Sequence, residues 1–267
     1  VLEGHVAAGA EEIHAVWPYD SASETLPEGG KVIVNVPAVQ TVGEEGNSDP
    51  AATVCVGKLT DGRIAFEKAI SHIKVSIPDG VTSVSIKGLA YENVSGNTAS
   101  VVLNPAGEMF KAGEYSIAVS PQNFKIGYKV VYAKEGYLAV AKIVPVQDSE
   151  LVIEAGKSYD ITVQTAGEVL VWLADPIMTE AQLMEYMKNQ EAYVSEVARI
   201  GADITLTSAW IPVELTGTLD GQGHVISGLS VSAGDDAGMF SSLAADATLK
   251  NITVEGSVTL TAEQHPA

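Results

Sequence analysis

Alternation at period two is the feature that most restricts what this chain can fold into. In "SHIKVSIPDGVTSVSIKG", Ser71 to Gly88, residues Ile73, Val75 and Ile77 fall on one side of an extended backbone and His72, Lys74 and Ser76 on the other. Val84 and Ile86 repeat the pattern beyond Pro78, Asp79 and Gly80, so the stretch predicts two strands joined as a hairpin. An isolated hairpin is marginal in water, and its apolar face requires a second sheet. The same pattern recurs in "KVIVNVP", "YSIAVSP", "GYKVVYA", "YLAVAKIVP", "LVIEAG" and "SYDITVQ", with Gly, Pro, Asn and Asp between them. No helical stretch competes before about Gln164, and the region reads as an antiparallel β-sandwich.

The pattern changes at Thr179. "TEAQLMEYMKNQ" places Ala181, Met184 and Met187 on one side of a short amphipathic helix, with Thr179 or Asp175 available as its N-cap, and Pro176 marks the junction between two regions. Beyond it, "DITLTS", "ISGLSV" and "LKNITV" align Leu206, Leu229 and Ile252 at a spacing of 23 residues. A period of that length, with Gly-rich corners such as "GTLDGQGH" and "SAGDDAG", predicts stacked coils of a parallel β-solenoid with the helix covering one end. The strand begun by "GSVTL" leaves the other end bare, which predicts that the native chain continues or that this end packs on a neighbour. The resulting division is a sandwich over residues 1–165, a linker and capping helix over 166–190, and coils over 191–267.

Composition narrows the partners. The chain carries 34 acidic and 15 basic side chains, a formal charge of −19, with no cluster of Lys and Arg that reverses it locally, so nucleic acid and anionic membrane surfaces are disfavoured. No apolar run approaches the roughly 18 residues of a membrane helix. The opening "VLEGHVAAGAEEIHAVWPYD" lacks the shape of a signal peptide, and a start at Val1 points to a processed or trimmed product. Cys55 is the only cysteine; inside "TVCVG" it reads as a small buried apolar residue on a strand.

A coil stack is also a scaffold for polysaccharide lyases and hydrolases, which need paired carboxylates, or a metal-binding carboxylate cluster with a base. The candidates are Asp203, Glu214, Asp220, Asp235, Asp236 and Glu255. Asp220, Asp235 and Asp236 sit among glycines, where Asp serves turn geometry. His224 can in principle act as a base for Asp220 but reads as structural. His5, His14, His72 and His265 are scattered, and no pair has zinc-site spacing. "GQGHVI" lacks the third glycine of a dinucleotide fingerprint, "GDDAG" lacks the Glu of a calcium loop, and no serine lies in a Gly-x-Ser-x-Gly elbow. Asn93 and Asn251 fit the glycosylation pattern, and Asn251 reads as a corner residue bonded to backbone. Trp17, Trp172 and Trp210 are the residues a sugar ring would stack on, yet their separation makes each read as a core anchor. No catalytic residue, metal or cofactor is assigned.

"HAVWPYD" (His14 to Asp20), the stretch from "VIVNVPAVQ" to "VTSVSIKG" (Val32 to Gly88) and "GEYSIAVSPQNFKIGYKVVYA" (Gly113 to Ala133) together resemble the fimbrillin-like family of fimbrial and pilin-related surface proteins of Gram-negative anaerobes. The resemblance covers roughly Ile13 to Val163. "EAQLMEYM", "ADITLTSAWIPV", "LTGTLDGQGHVISGLSV", "AGMFSSL" and "ATLKNITVEGSV" are similar to the start of an adhesin-type right-handed β-helix repeat region behind a capping helix, over Glu180 to about Leu260. These resemblances imply a transthyretin-like sandwich, export to the cell surface or outer membrane, a lipid anchor upstream of Val1 and, in true pilins, assembly by strand addition between subunits. The function they imply is a non-enzymatic adhesin or fimbrial-type component whose partners are host or bacterial surface proteins, glycans or other fimbrial subunits. The alternatives are a glycan-binding surface lipoprotein and a β-helix lyase or hydrolase.

Overall fold

The computed structural model describes residues 13–18, 24–25, 32–33, 36–43, 46–88, 100–124, 127–145, 151–160, 170–193, 197–233 and 238–260. Over these residues the protein is all-β with one short α-helix. The chain divides into two units, Val1–Val130 with Ile143–Thr165, and Val131–Lys142 with Ala166–Ala267. Residues 131–142 thus group with the C-terminal part, although their alternation continues that of the N-terminal part.

The strands up to Asp160 are β1 (His14–Trp17), β2 (Glu24–Thr25), β3 (Val32–Ile33), β4 (Val39–Thr41), β5 (Cys55–Thr60), β6 (Arg63–Lys68), β7 (Ser71–Ile77), β8 (Ser83–Gly88), β9 (Ser100–Asn104), β10 (Gly113–Val119), β11 (Gln122–Phe124), β12 (Gly127–Ala133), β13 (Val140–Pro145), β14 (Leu151–Ile153) and β15 (Ser158–Asp160). They form sheets of order β1-β5-β6, β10-β7-β15 and β13-β12-β8-β9-β4, with the pairs β2-β3 and β11-β14. Ile73, Val75 and Ile77 of β7 and Val84 and Ile86 of β8 are buried, as their alternation requires.

The two arms from Ser71 to Gly88 nevertheless do not pair as a hairpin. β7 runs antiparallel to β10, with Ile73 opposite Ile117, and β8 runs antiparallel to β9 in a different sheet. The bend between them is tied elsewhere: Gly80 (φ 77°) donates its N–H to the Phe110 carbonyl, and Phe110 donates to Val81. Alternation fixes which face is apolar but not which strand completes the ladder. Nor is the pairing wholly antiparallel, since β4 runs parallel to β9 and β15 parallel to β7. Within β4 the Gln40 side chain is 1% exposed and behaves as an extra length of backbone: Nε2 donates to the Ala118 carbonyl at 2.7 Å and Oε1 accepts from Ala118 N–H at 3.0 Å.

Beyond Ala166 come α1 (Glu180–Lys188) and the strands β16 (Ala198–Arg199), β17 (Ile204–Thr205), β18 (Val213–Leu215), β19 (Thr218–Asp220), β20 (Val225–Ala233), β21 (Phe240–Leu243), β22 (Thr248–Lys250) and β23 (Thr253–Leu260). They stack in three parallel columns, β16-β19-β22, β17-β20-β23 and β18-β21. Ala198, Leu219 and Leu249 lie in one register, and Ile204, Ile226 and Val254 in another. The even spacing of Leu206, Leu229 and Ile252 is not the structural repeat. Leu229 stands opposite Gly256, and "LKNITV" is split between the end of β22 and the start of β23. The step from Ala198 to Leu219 is much shorter than that from Leu219 to Leu249, chiefly because the chain between Ile226 and Phe240 is longer than its counterpart between Ile204 and Val213, and the turn from Leu243 to Thr248 is longer than that from Leu215 to Thr218.

Thr179 caps α1, its hydroxyl accepting the Gln182 N–H at 3.3 Å, while Gln182 Oε1 accepts from Met178 N–H. The helix buries Leu183, Tyr186 and Met187, whereas Ala181 and Met184 are exposed. The i, i+3, i+4 set with the larger apolar area prevails over the expected stripe. These side chains join a core with Ile200, Leu215, Leu219 and Ile226.

Candidate functional site

Two of the acidic side chains that a coil enzyme would use, Asp203 and Asp220, are placed by corner geometry. Asp203 Oδ1 accepts from Val225 N–H at 3.0 Å and lies 3.1 Å from His224 Nδ1. The Val225 N–H, then the His224 ring, hold the Asp203 carboxyl below the usual range. His224 therefore meets Asp203 and not Asp220, the partner its sequence neighbourhood offered. Asp220 Oδ1 accepts from Gln222 N–H at 3.0 Å and Asn251 Nδ2 at 3.1 Å, and its Oδ2 lies 3.4 Å from Lys250 Nζ. The Gln222 N–H, followed by Asn251, lowers its pKa. Gln222 (φ 50°) and Asn251 (φ 53°) both take left-handed conformations there, and Asn251 bonds a carboxylate where a backbone partner was expected.

Among the described residues, Asp220 is the single carboxylate lining the hollow at this corner, beside Gln222, Asn251 and Thr253. Glu214 accepts the Ser242 hydroxyl at 3.1 Å, and Glu255 is exposed on β23. Asp235 and Asp236 lie outside the described residues, as do Asn93, His5 and His265. Among the described residues no three His, Cys, Asp or Glu side chains are grouped to hold a metal ion.

The tryptophans divide three ways. Trp210 is a core anchor at 6% exposure, its Nε1 donating to the Met239 carbonyl at 2.7 Å. Trp172 is half-buried, edge-on to Tyr137, with Lys134 Nζ 5.4 Å from its ring centre. Trp17 departs from the core expectation altogether, being 60% exposed at the end of β1.

Trp17 stands over an open cleft of about 590 Å³ in the N-terminal unit. Strand register builds two of its walls. Across β1-β5-β6, Trp17 is opposite Cys55 and Cys55 opposite Lys68. Across β10-β7-β15, Ser116 is opposite Lys74 and His72 opposite Ser158. Among the described residues the lining holds an indole, two ammonium groups, hydroxyls and an imidazole, and no Asp or Glu. Cys55 is half-buried in this wall and not in the core, since its neighbour Val54 takes the inward position. His72, assigned by alternation to the solvent face with Lys74, is 6% exposed because β10 and β15 flank it there. Burial, with the Lys68 charge adding to it, pushes its pKa down. Sequence reasoning missed this cleft. The one local signal was the outward side of the β7 alternation, which carries His72 and Lys74.

Comparison with known proteins finds no matching family model, no matching curated protein and no matching solved structure.

Proposed function

We propose that this chain is a non-enzymatic cell-surface component of the adhesin or fimbrial type, built as a transthyretin-like sandwich followed by the first coils of a right-handed parallel β-helix. The observation that carries this reading is the state of the acidic side chains on the strand columns. Asp203 and Asp220 each accept backbone N–H groups at a corner, and among the described residues the hollow beside Asp220 offers no second carboxylate to act as acid or base partner. The parallel columns support the coil assignment, and the sheets around β7 and β8 support the sandwich. Attachment to a host or bacterial surface, with export and an anchor upstream of Val1, follows from the fimbrillin-like resemblance.

A second reading, capture of glycans, is favoured by the Trp17 cleft. An exposed ring face packs on a pyranose, hydroxyls share its polar edge, and Lys68 and Lys74 select an acidic sugar. Binding of the chain to arrays of acidic and neutral glycans tests this reading, and adherence of protein-coated beads to host cells tests the first. Adherence that survives Trp17→Ala separates a protein receptor from a glycan. No adherence and no glycan binding contradicts both.

A further inference from the structure

We propose that the free edge of β6 pairs antiparallel with the same edge of a second copy of this chain, about a two-fold axis through Ala65. β6 is the last strand of β1-β5-β6, and all its residues are exposed, Ile64 at 40% and Phe66 at 45%. An exposed edge invites another strand, because its row of N–H and C=O groups is open.

The turn fixes which backbone groups are free. Asp61 (φ 51°) and Gly62 (φ 75°) form a two-residue loop with both φ positive, closing Thr60 against Arg63. In such a hairpin the closing pair exchanges hydrogen bonds and alternate pairs follow it, so Arg63, Ala65 and Glu67 bond to β5. Ile64, Phe66 and Lys68 therefore turn their backbone groups to the open edge. Among the described residues nothing hydrogen-bonds to them there.

Only registers that set these outward residues opposite one another can hydrogen-bond, and side-chain charge chooses among them. Centred on Ala65, the pairing places Ile64 opposite Phe66 twice in hydrogen-bonded pairs, and Arg63 opposite Glu67 twice in the closer non-bonded pairs. Moved to centre on Phe66, it leaves Glu67 opposite Ala65 and Lys68 opposite Ile64. Moved to centre on Ile64, it sets Glu67 against Asp61, carboxylate against carboxylate. The strand is self-complementary in one register, as an isologous two-fold contact requires. The net charge of −19 opposes approach of a second copy at low ionic strength, and physiological salt screens that repulsion beyond about 8 Å.

The test is the mass of the whole chain by sedimentation equilibrium across a concentration series in about 0.15 M salt. The chain alone is 27.8 kDa, and the proposal requires a concentration-dependent rise to twice that mass. Arg63→Glu and Glu67→Arg, both at exposed positions, each set like charges opposite one another twice and weaken the dimer at least about tenfold. The double variant Arg63→Glu with Glu67→Arg restores the dimer to near the wild-type constant. A monomer at every concentration overturns the proposal, and so does a dimer that ignores the single reversals or is not recovered in the double variant.

Discussion

Glu180, the first residue of α1, holds Thr207 beyond the end of β17. Its Oε1 accepts the Thr207 N–H at 2.8 Å and its Oε2 the Thr207 hydroxyl at 2.6 Å, while Ser208 N–H adds a third bond at 3.0 Å. One carboxylate thus fixes the start of the helix to the loop after the first strand of the middle column. The Thr207 hydroxyl, followed by the Ser208 and Thr207 N–H groups, lowers the Glu180 pKa.

A carboxyl whose pKa is depressed on folding contributes stability above its unfolded pKa and loses it as pH falls through the folded value. Glu180→Gln is expected to melt below the wild type at neutral pH, and the gap is expected to close as both proteins are acidified through the carboxylate range. Thermal melts over a pH series check this. A gap that stays constant with pH assigns the effect to packing and not to the charge.

Gln40 replaces a missing strand partner for Ala118, so removing its amide strands two buried backbone groups. Gln40→Leu is expected to cost about 2–6 kcal/mol, at about 1–3 kcal/mol for each orphaned group. Urea denaturation of the two proteins measures it. A loss under about 0.5 kcal/mol would mean that water or another side chain reaches Ala118.

Gly228 combines a positive φ (74°) with close stacking: an added Cβ would sit 2.5 Å from the Leu206 carbonyl oxygen. Gly62 has a similar φ (75°) but open space around it. Gly62→Ala is expected to cost only the left-handed conformation, about 1–2 kcal/mol. Gly228→Ala is expected to cost clearly more, because the coil beneath must move as well. Equal losses in paired denaturant titrations would contradict the tight contact between β20 and the segment after β17.

Trp210 spends its indole N–H on the Met239 carbonyl inside the core of the C-terminal unit. Trp210→Phe keeps most of the apolar volume and leaves that carbonyl unpaired, a loss of about 1–3 kcal/mol. Trp210→Ala adds a cavity and raises the loss to about 3–5 kcal/mol. The two variants, compared by chemical denaturation, separate the hydrogen bond from the packing.

Period-two alternation made the strands legible, because burial of Ile73, Val75, Ile77, Val84 and Ile86 follows from backbone geometry alone. The partners were not legible. β7 meets β10 and β15, both far along the chain, and nothing within Ser71 to Gly88 encodes that choice. The columns were visible through their short strands, yet their spacing was misjudged, since a repeat with one lengthened turn imitates an even period if LKNITV is aligned as one strand. The helix face was placed only in part: Met187 is buried as expected, but Ala181 and Met184 were weighed ahead of Leu183 and Tyr186. The Trp17 cleft draws its lining from strands between His14 and Asp160, so it exists only after folding.

Binding without chemical change is the central claim, and one paired measurement on a panel of acidic polysaccharides and glycans tests it most directly. The account predicts that no product is released on prolonged incubation and, on the glycan reading, saturable binding that Trp17→Ala and Lys74→Ala weaken at least about tenfold. Steady release of unsaturated or reducing ends, abolished by Asp220→Asn or Asp203→Asn and indifferent to Trp17, would contradict it.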